Sequence, residues 1–168
     1  MIFKTKKAQG WGIDLAVAMS IFVMSITILY FFSINYSKDS QNEFDILSDD
    51  AELIIEDILS EGYPKNWNNT NVIKIGILTN GKINNTKIER FYNLTQTNYQ
   101  KTKSLFNTNY DYFFAFNENI SFGSEEVRGI GKDGTDIENI DSENIIRVER
   151  YTIYKNKPAK VYLYLWSN

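Results

Sequence analysis

The chain has 168 residues, a net charge of −3, and neither cysteine nor histidine. Those two absences exclude disulfides, thiolate metal sites and every chemistry that needs an imidazole, including Ser-His-Asp hydrolysis and His-ligated zinc. Setting aside three of the 18 basic residues (Lys4, Lys6, Lys7) and one of the 21 acidic ones (Asp14) leaves a remainder near −5. It has no basic cluster, unlike a nucleic-acid-binding face.

The N-terminal stretch from Lys6 to Ile34 dominates the pattern. A lysine pair and a short glycine-rich hinge precede Asp14, and no charge follows from Leu15 to Ile34. About 20 apolar residues make a helix of roughly 30 Å, the thickness of a bilayer core. The lysines ahead of it favour a cytoplasmic N-terminus. An anchor retained whole is one reading. A secretory peptide cut after the run fits less well, because 35–38 (NYSK) lacks a small-residue cleavage pattern. A carboxylate at the edge of an apolar helix is costly and calls for a partner. An α-amino group freed by cleavage just before the run would serve.

Lys6, Lys7, Ala8, Gln9 and Gly10, then an acid and an unbroken apolar helix, resemble the class III signal peptide of type IV pilins, archaeal pilins and archaellins above all. The resemblance implies cleavage by a membrane peptidase after Ala8, with a cut after Gly10 as the alternative. It also implies that the apolar helix is kept as a filament core. Asp14 would then pair with the N-terminus of a neighbouring subunit. Leu15, Val17, Met19, Ile21, Phe22, Ile26, Leu29 and Phe32 would pack in the core. The implied divisions are residues 1–8 as signal peptide, 9–36 as transmembrane and filament-core helix, and 37–168 as an extracytoplasmic head.

Residues 38–61 continue as an amphipathic helix. Phe44, Leu47, Ala51, Ile54, Ile55, Ile58 and Leu59 recur at three- and four-residue spacing, with Asp49, Asp50, Glu52, Glu56 and Asp57 on the other face. One long helix running on from the apolar segment is the favoured reading, with Ser37–Ser40 as the place where a bend would fall, and Gly62 and Pro64 stop the helix. Trp67 reads as a cap on the head's core, with a carbohydrate platform as the alternative. Val72–Leu78 (VIKIGIL) reads as a strand, and Asn80-Gly81 as a tight turn returning through Lys82 and Ile83. A helix over Thr86–Leu94 with Ile88, Phe91 and Tyr92 on one side follows. A second begins at Thr97 and carries Tyr99, Lys103 and Phe106.

Tyr110–Phe116 (YDYFFAF) reads as a strand, with Glu118–Phe122 turning back beside it. These elements, from Leu59 to Phe116, resemble the heads of archaeal pilin-like membrane proteins, which implies a mixed α/β head and brings no catalytic site. Gly123–Asn144, with Gly129, Gly131 and Gly134 among scattered acids, reads as a solvated loop. Its aspartates fail the spacing of a calcium loop. Ile145–Tyr154 alternates, with a bulge expected between Arg150 and Tyr151. Asn156-Lys157-Pro158 turns the chain, and Lys160–Trp166 (KVYLYLW) returns as a second strand. This hairpin is expected to share a sheet with the Val72 and Tyr110 strands, its alternating aromatics covering the amphipathic helix.

The expected fold is α+β: a long N-terminal hydrophobic helix packed into a small head with an antiparallel sheet and short helices. Five N-x-[ST] matches occur, of which Asn68, Asn84, Asn93 and Asn119 are candidate N-glycosylation acceptors. The fifth, Asn35, lies beside the apolar run. The leading expectation is a structural, non-enzymatic filament subunit without cofactors. It forms a homo-oligomer through its stem helices. By resemblance it is served by a prepilin peptidase, an assembly ATPase and a membrane platform. A minor pilin, or an uncleaved membrane-anchored accessory or sensor protein, is the alternative. An anchored enzyme would have only carboxylates, tyrosines, lysines and serines to work with, and no carboxylate pair stands out.

Overall fold

The computed structural model describes residues 6–122, 125–142 and 144–167. The chain has an α+β fold with a long N-terminal helix. It divides into two compact units, Met1–Glu43 and Phe44–Asn168. The first helix, α1 (Lys6–Ile58), contributes to both. Backbone at the glycine-rich stretch 9–12 and at 37–40 is helical, so the expected hinge after the lysines is part of α1.

In the head (Phe44–Asn168), α1 buries one stripe. Leu47, Ala51, Ile54, Ile55 and Ile58 are all at most 2% exposed, and they share one core with the sheet and the shorter helices. The stripe follows from the helical period. Gly62, with φ +71°, lets the chain leave the helix where the Trp67 ring lies against it; a Cβ there would sit 2.7 Å from that ring. Trp67 is fully buried and its Nε1 donates to the Gly76 carbonyl at 2.9 Å. It is a core residue, and the carbohydrate-platform reading fails because no ring face reaches solvent.

The Val72–Leu78 run is not a strand of the main sheet. Its backbone closes the end of α1: Ile77 N–H donates to Ile58 O at 2.8 Å and Leu78 N–H to Ser60 O at 2.9 Å, while Tyr63 bridges Lys74. The last carbonyls of a helix lack partners within it, and this segment supplies donors. Only β1 (Leu78–Thr79) and β2 (Lys82–Ile83) pair, as a separate two-stranded ribbon across Asn80-Gly81.

Helix α2 (Asn85–Thr97) starts at Asn84, whose side chain accepts from Lys87 N–H. Asn98 ends α2 and caps α3 (Tyr99–Leu105), so Thr97 closes the first helix rather than opening the second. Phe91, Phe106 and Tyr112 meet between these helices and the sheet, with centroids 5.2–6.4 Å apart.

The main sheet is antiparallel, in the order β4-β3-β6-β5. Strand β3 (Asp111–Phe122) absorbs the segment expected to turn back, continuing through it with a register break against β4 between Ala115 and Ile120. Strand β4 (Glu125–Gly131) and a 3-10 turn (Ile137–Asn139) occupy the segment expected to be loop. Gly129 is a packing requirement there: a Cβ would sit 2.3 Å from the Phe113 ring.

Strands β5 (Ile145–Tyr154) and β6 (Lys157–Trp166) pair without a break over ten residue pairs, so the expected bulge is absent. Arg150 stands on the helix-facing side because its guanidinium reaches Glu52 of α1, and Tyr151 points the other way. Lys155 and Asn156, at φ 49° and 60°, form the two-residue turn, as the twist of a hairpin favours. The inward residues of β6 are Val161, Leu163 and Leu165, opposite Phe116, Phe114 and Tyr112 of β3. Aliphatics of β6 therefore face the core, and Tyr162 and Tyr164 lie on the opposite, half-exposed face, contrary to the expected aromatic cover.

Candidate functional site

In α1 the segment Gly12–Ile34 has 23 residues, a mean hydropathy of 2.3 and no buried position. It is long and apolar enough to cross a membrane. The side chains of Lys6, Lys7, Ala8, Gln9 and Gly10 lie outside the described residues, as does 1–5. Asp14 is exposed at the head of the segment. Leu15, Val17, Met19, Ile21, Phe22, Ile26, Leu29 and Phe32 are 52–75% exposed.

Helical geometry sorts these side chains. Leu15, Met19, Phe22, Ile26 and Leu29 recur at spacings of four and three and share one face; Val17, Ile21 and Phe32 fall on another. The helix is thus apolar all round, the pattern of a helix that is buried on every side or lies in lipid. Three of its hydroxyls are satisfied within the helix. Ser20, Ser25 and Thr27 donate to the carbonyls of Ala16, Ile21 and Val23, each at 2.8 Å. They therefore present no unpaired polar group to apolar surroundings.

Fifteen large apolar side chains from Ile13 to Ile34 are exposed. Moving each from water to an apolar environment stabilises by roughly 1.5–3 kcal/mol when complete, so the set is worth on the order of 20 kcal/mol even after discounting partial shielding. That exceeds the net stability of an ordinary domain, ~5–15 kcal/mol. Burial of this segment therefore outweighs anything the head's own stability could hold against it.

The head's most organised polar cluster centres on Asp111, which is 5% exposed. Its carboxylate meets Lys103 Nζ at 3.0 Å and Lys132 Nζ at 2.6 Å, and accepts from the Tyr99 hydroxyl at 3.1 Å. Burial alone would raise its pKa; the hydrogen bonds from Lys132 and Lys103 outweigh that and hold it below the usual range. Burial pushes the Tyr99 and Tyr112 hydroxyls up, so both stay protonated and act as donors. Tyr112 donates to Thr102 Oγ1 at 2.6 Å. A second buried cation, Lys87, is lowered by desolvation and donates to Glu61 O and Leu78 O, both at 2.7 Å. Each of these groups has a partner within the head. Neither cluster was legible in the sequence, because the partners come from different elements.

The candidate glycosylation acceptors stand in different settings. Asn68 is exposed, its Oδ1 accepting from Thr70 N–H and Oγ1. Asn93 is exposed on α2. Asn119 is exposed on β3, its Nδ2 donating to Glu126 Oε2 at 3.4 Å. Asn84 is half-buried: it caps α2, and its Nδ2 donates to Thr79 Oγ1 at 3.2 Å. Modification at Asn84 would compete with that cap.

A cavity of about 330 Å³ lies at the turn end of the β5–β6 hairpin, lined in part by Asn117, Glu118, Asn119, Lys155 and Lys157. Among the described residues no group of three acids is placed to hold a metal ion.

No protein-family model, curated protein or solved structure matches the chain. The stem, an apolar segment with one acid at its head, and the head's surface are therefore the grounds for function.

Proposed function

We propose that the chain is a structural, non-enzymatic subunit of an archaeal type IV pilus-like surface filament, with the head serving adhesion or motility. One observation carries this reading: a helix apolar on every face, with no side chain from Gly12 to Ile34 buried, interrupted only at its head by Asp14. A plain anchor has no need of that acid, whereas a subunit that leaves the bilayer needs it to register against its neighbour. Before assembly the stem sits in the membrane with its N-terminus cytoplasmic. Prepilin peptidase would expose the α-amino group, which is largely protonated at neutral pH. An assembly ATPase and a membrane platform would then move the stem from lipid into a bundle of like stems.

Replacing Asp14 tests the register directly. Asp14→Asn is expected to leave the membrane level of the protein unchanged, while its recovery in a cell-surface shear fraction falls roughly tenfold or more, the effect of about 1.4 kcal/mol per contact. Asp14→Glu should retain most of it. Equal shear recovery of the Asn variant would show that the acid has no part in assembly.

A further inference from the structure

The main sheet opens at one end. Pairing of β3 with β6 stops at Phe116 and Val161, and the register of β3 against β4 breaks between Ala115 and Ile120. Among the described residues, Asn117, Glu118 and Asn119 thus have register partners on neither side, while β6 stays paired with β5 as far as Lys157. The cavity of about 330 Å³ lies in the gap between this part of β3 and the turn end of the β5–β6 hairpin. That is the low end of the range for small-molecule sites, roughly 300–1,000 Å³, and suits a ligand of one ring.

The polar groups of the wall are unsatisfied within the chain. Tyr154 borders the cavity, and its hydroxyl is buried with no hydrogen-bond partner among the described residues. Buried hydroxyls are nearly always bonded, so this one calls for a group the chain does not supply. Lys157 stands opposite Tyr154 in the hairpin register and shares its face. Lys155 holds its ammonium 5.0 Å from the centre of the Tyr154 ring. Both lysines are exposed at the cavity, and among the described residues neither has a carboxylate within ion-pair distance. Lys82 adds a third ammonium at the turn, where it donates to Asn156 Oδ1 at 2.7 Å. Glu118, on the β3 side, is exposed and has no cation at ion-pair distance among the described residues. Lys160 also borders the cavity but is committed to Glu149 at 2.7 Å.

This mixture selects the occupant. Free ammonium groups outnumber the one free carboxylate and favour a ligand of net negative charge. A bare inorganic anion would meet Glu118 with the wrong sign and leave the apolar wall at Phe116, Ile120 and Pro158 uncovered. An ionised carboxylate only accepts hydrogen bonds, so Glu118 suits hydroxyl donors. We propose that the cavity binds a sugar acid, a single uronate-type ring. Its carboxylate meets Lys155 and Lys157, its hydroxyls donate to Glu118, and its C–H face covers the apolar wall. A small turn of the Tyr154 side chain brings the orphaned hydroxyl to a ring oxygen. The site belongs to the head alone and stands whether or not the stems assemble.

The full-length chain, in micelles of a sugar-free detergent, is titrated with glucuronate, galacturonate and mannuronate, with saturation-transfer NMR as the readout. Each is run beside its neutral parent hexose and beside sulfate. At least one uronate is expected to saturate, with its parent hexose and sulfate bound about tenfold more weakly, the effect of losing a charge-assisted contact. Lys155→Gln with Lys157→Gln should lower uronate affinity about tenfold. Lys65→Gln, which removes a charge paired with Glu61 elsewhere on the head, should leave it unchanged. Tyr154→Phe separates binding from folding. The lost hydroxyl has no partner in the chain, so the melt read by near-UV circular dichroism should stay level or rise, while uronate affinity falls about fivefold. No saturation by any uronate, equal binding of the neutral hexoses or of sulfate, or a Tyr154→Phe chain that melts lower and binds unchanged would overturn the proposal.

Discussion

Asp111 begins β3 with its carboxylate between Lys103 of α3 and Lys132, which follows β4. Removing its charge would leave two ammonium groups facing each other. Breaking a buried pair costs about 3–5 kcal/mol; here Lys132 is 39% exposed, and water repays part of that. Asp111→Asn is therefore expected to destabilise the head by about 2–3 kcal/mol at pH 7, read from thermal melts of the full chain in detergent by near-UV circular dichroism. The sign with pH follows from the lowered pKa. The folded state holds this carboxylate's proton less tightly than the unfolded one. Its contribution is present in full above the unfolded value of about 3.9 and fades as pH falls through the folded one. The wild-type chain should lose more stability than Asp111→Asn between pH 5 and pH 2. Equal losses would remove Asp111 as the source. In the sequence Asp111 is one acid in an aromatic run, and nothing local brings together lysines 8 residues before it and 21 after it.

At the scale of elements, the strongly periodic segments were legible. The stripe of α1, the helix over Ile88 and Phe91, and the C-terminal hairpin follow local patterns, and the structure holds all of them. Segments whose apolar residues serve another purpose were not. Val72, Ile75 and Ile77 are buried, as a strand reading requires, but the segment pairs with no strand of the main sheet, and Ile77 N–H bonds Ile58 O at the end of α1. A β-branched run bounded by turns reports burial and does not report which partner its amides find. Gly129 and Gly131 look like loop residues, yet they sit in β4 where Phe113 and Tyr112 leave no room for a side chain. The Trp67 segment gives this scale its prediction. Trp67→Ala should cost about 3–5 kcal/mol. Trp67→Phe should cost less, about 1–3 kcal/mol, for the lost Nε1 bond to Gly76 and the unsatisfied carbonyl left behind. Unfolding melts of both variants check the order; an equal cost would mean the ring's packing contributes nothing beyond the N–H bond, and no cost for Trp67→Phe would mean that bond contributes nothing.

At the scale of the whole molecule, the stem was the most legible feature. Hydropathy is a local property, and the helix from Gly12 to Ile34 bears out the expected apolar length. The head's polar clusters were least legible, because Lys103, Asp111 and Lys132 come together only once the head is folded. Lipid meets the burial demand of the stem as well as neighbouring stems do, so in the proposal it is the single acid at its head that favours an assembling subunit over a fixed anchor. That claim is tested most directly by the mature N-terminus, determined by intact mass and terminal peptide sequencing of protein from a cell-surface shear fraction. The account predicts a chain beginning at Gln9, or at Trp11 if the cut follows Gly10, recovered in sheared material. Met1 retained, with the protein confined to membranes, would contradict it.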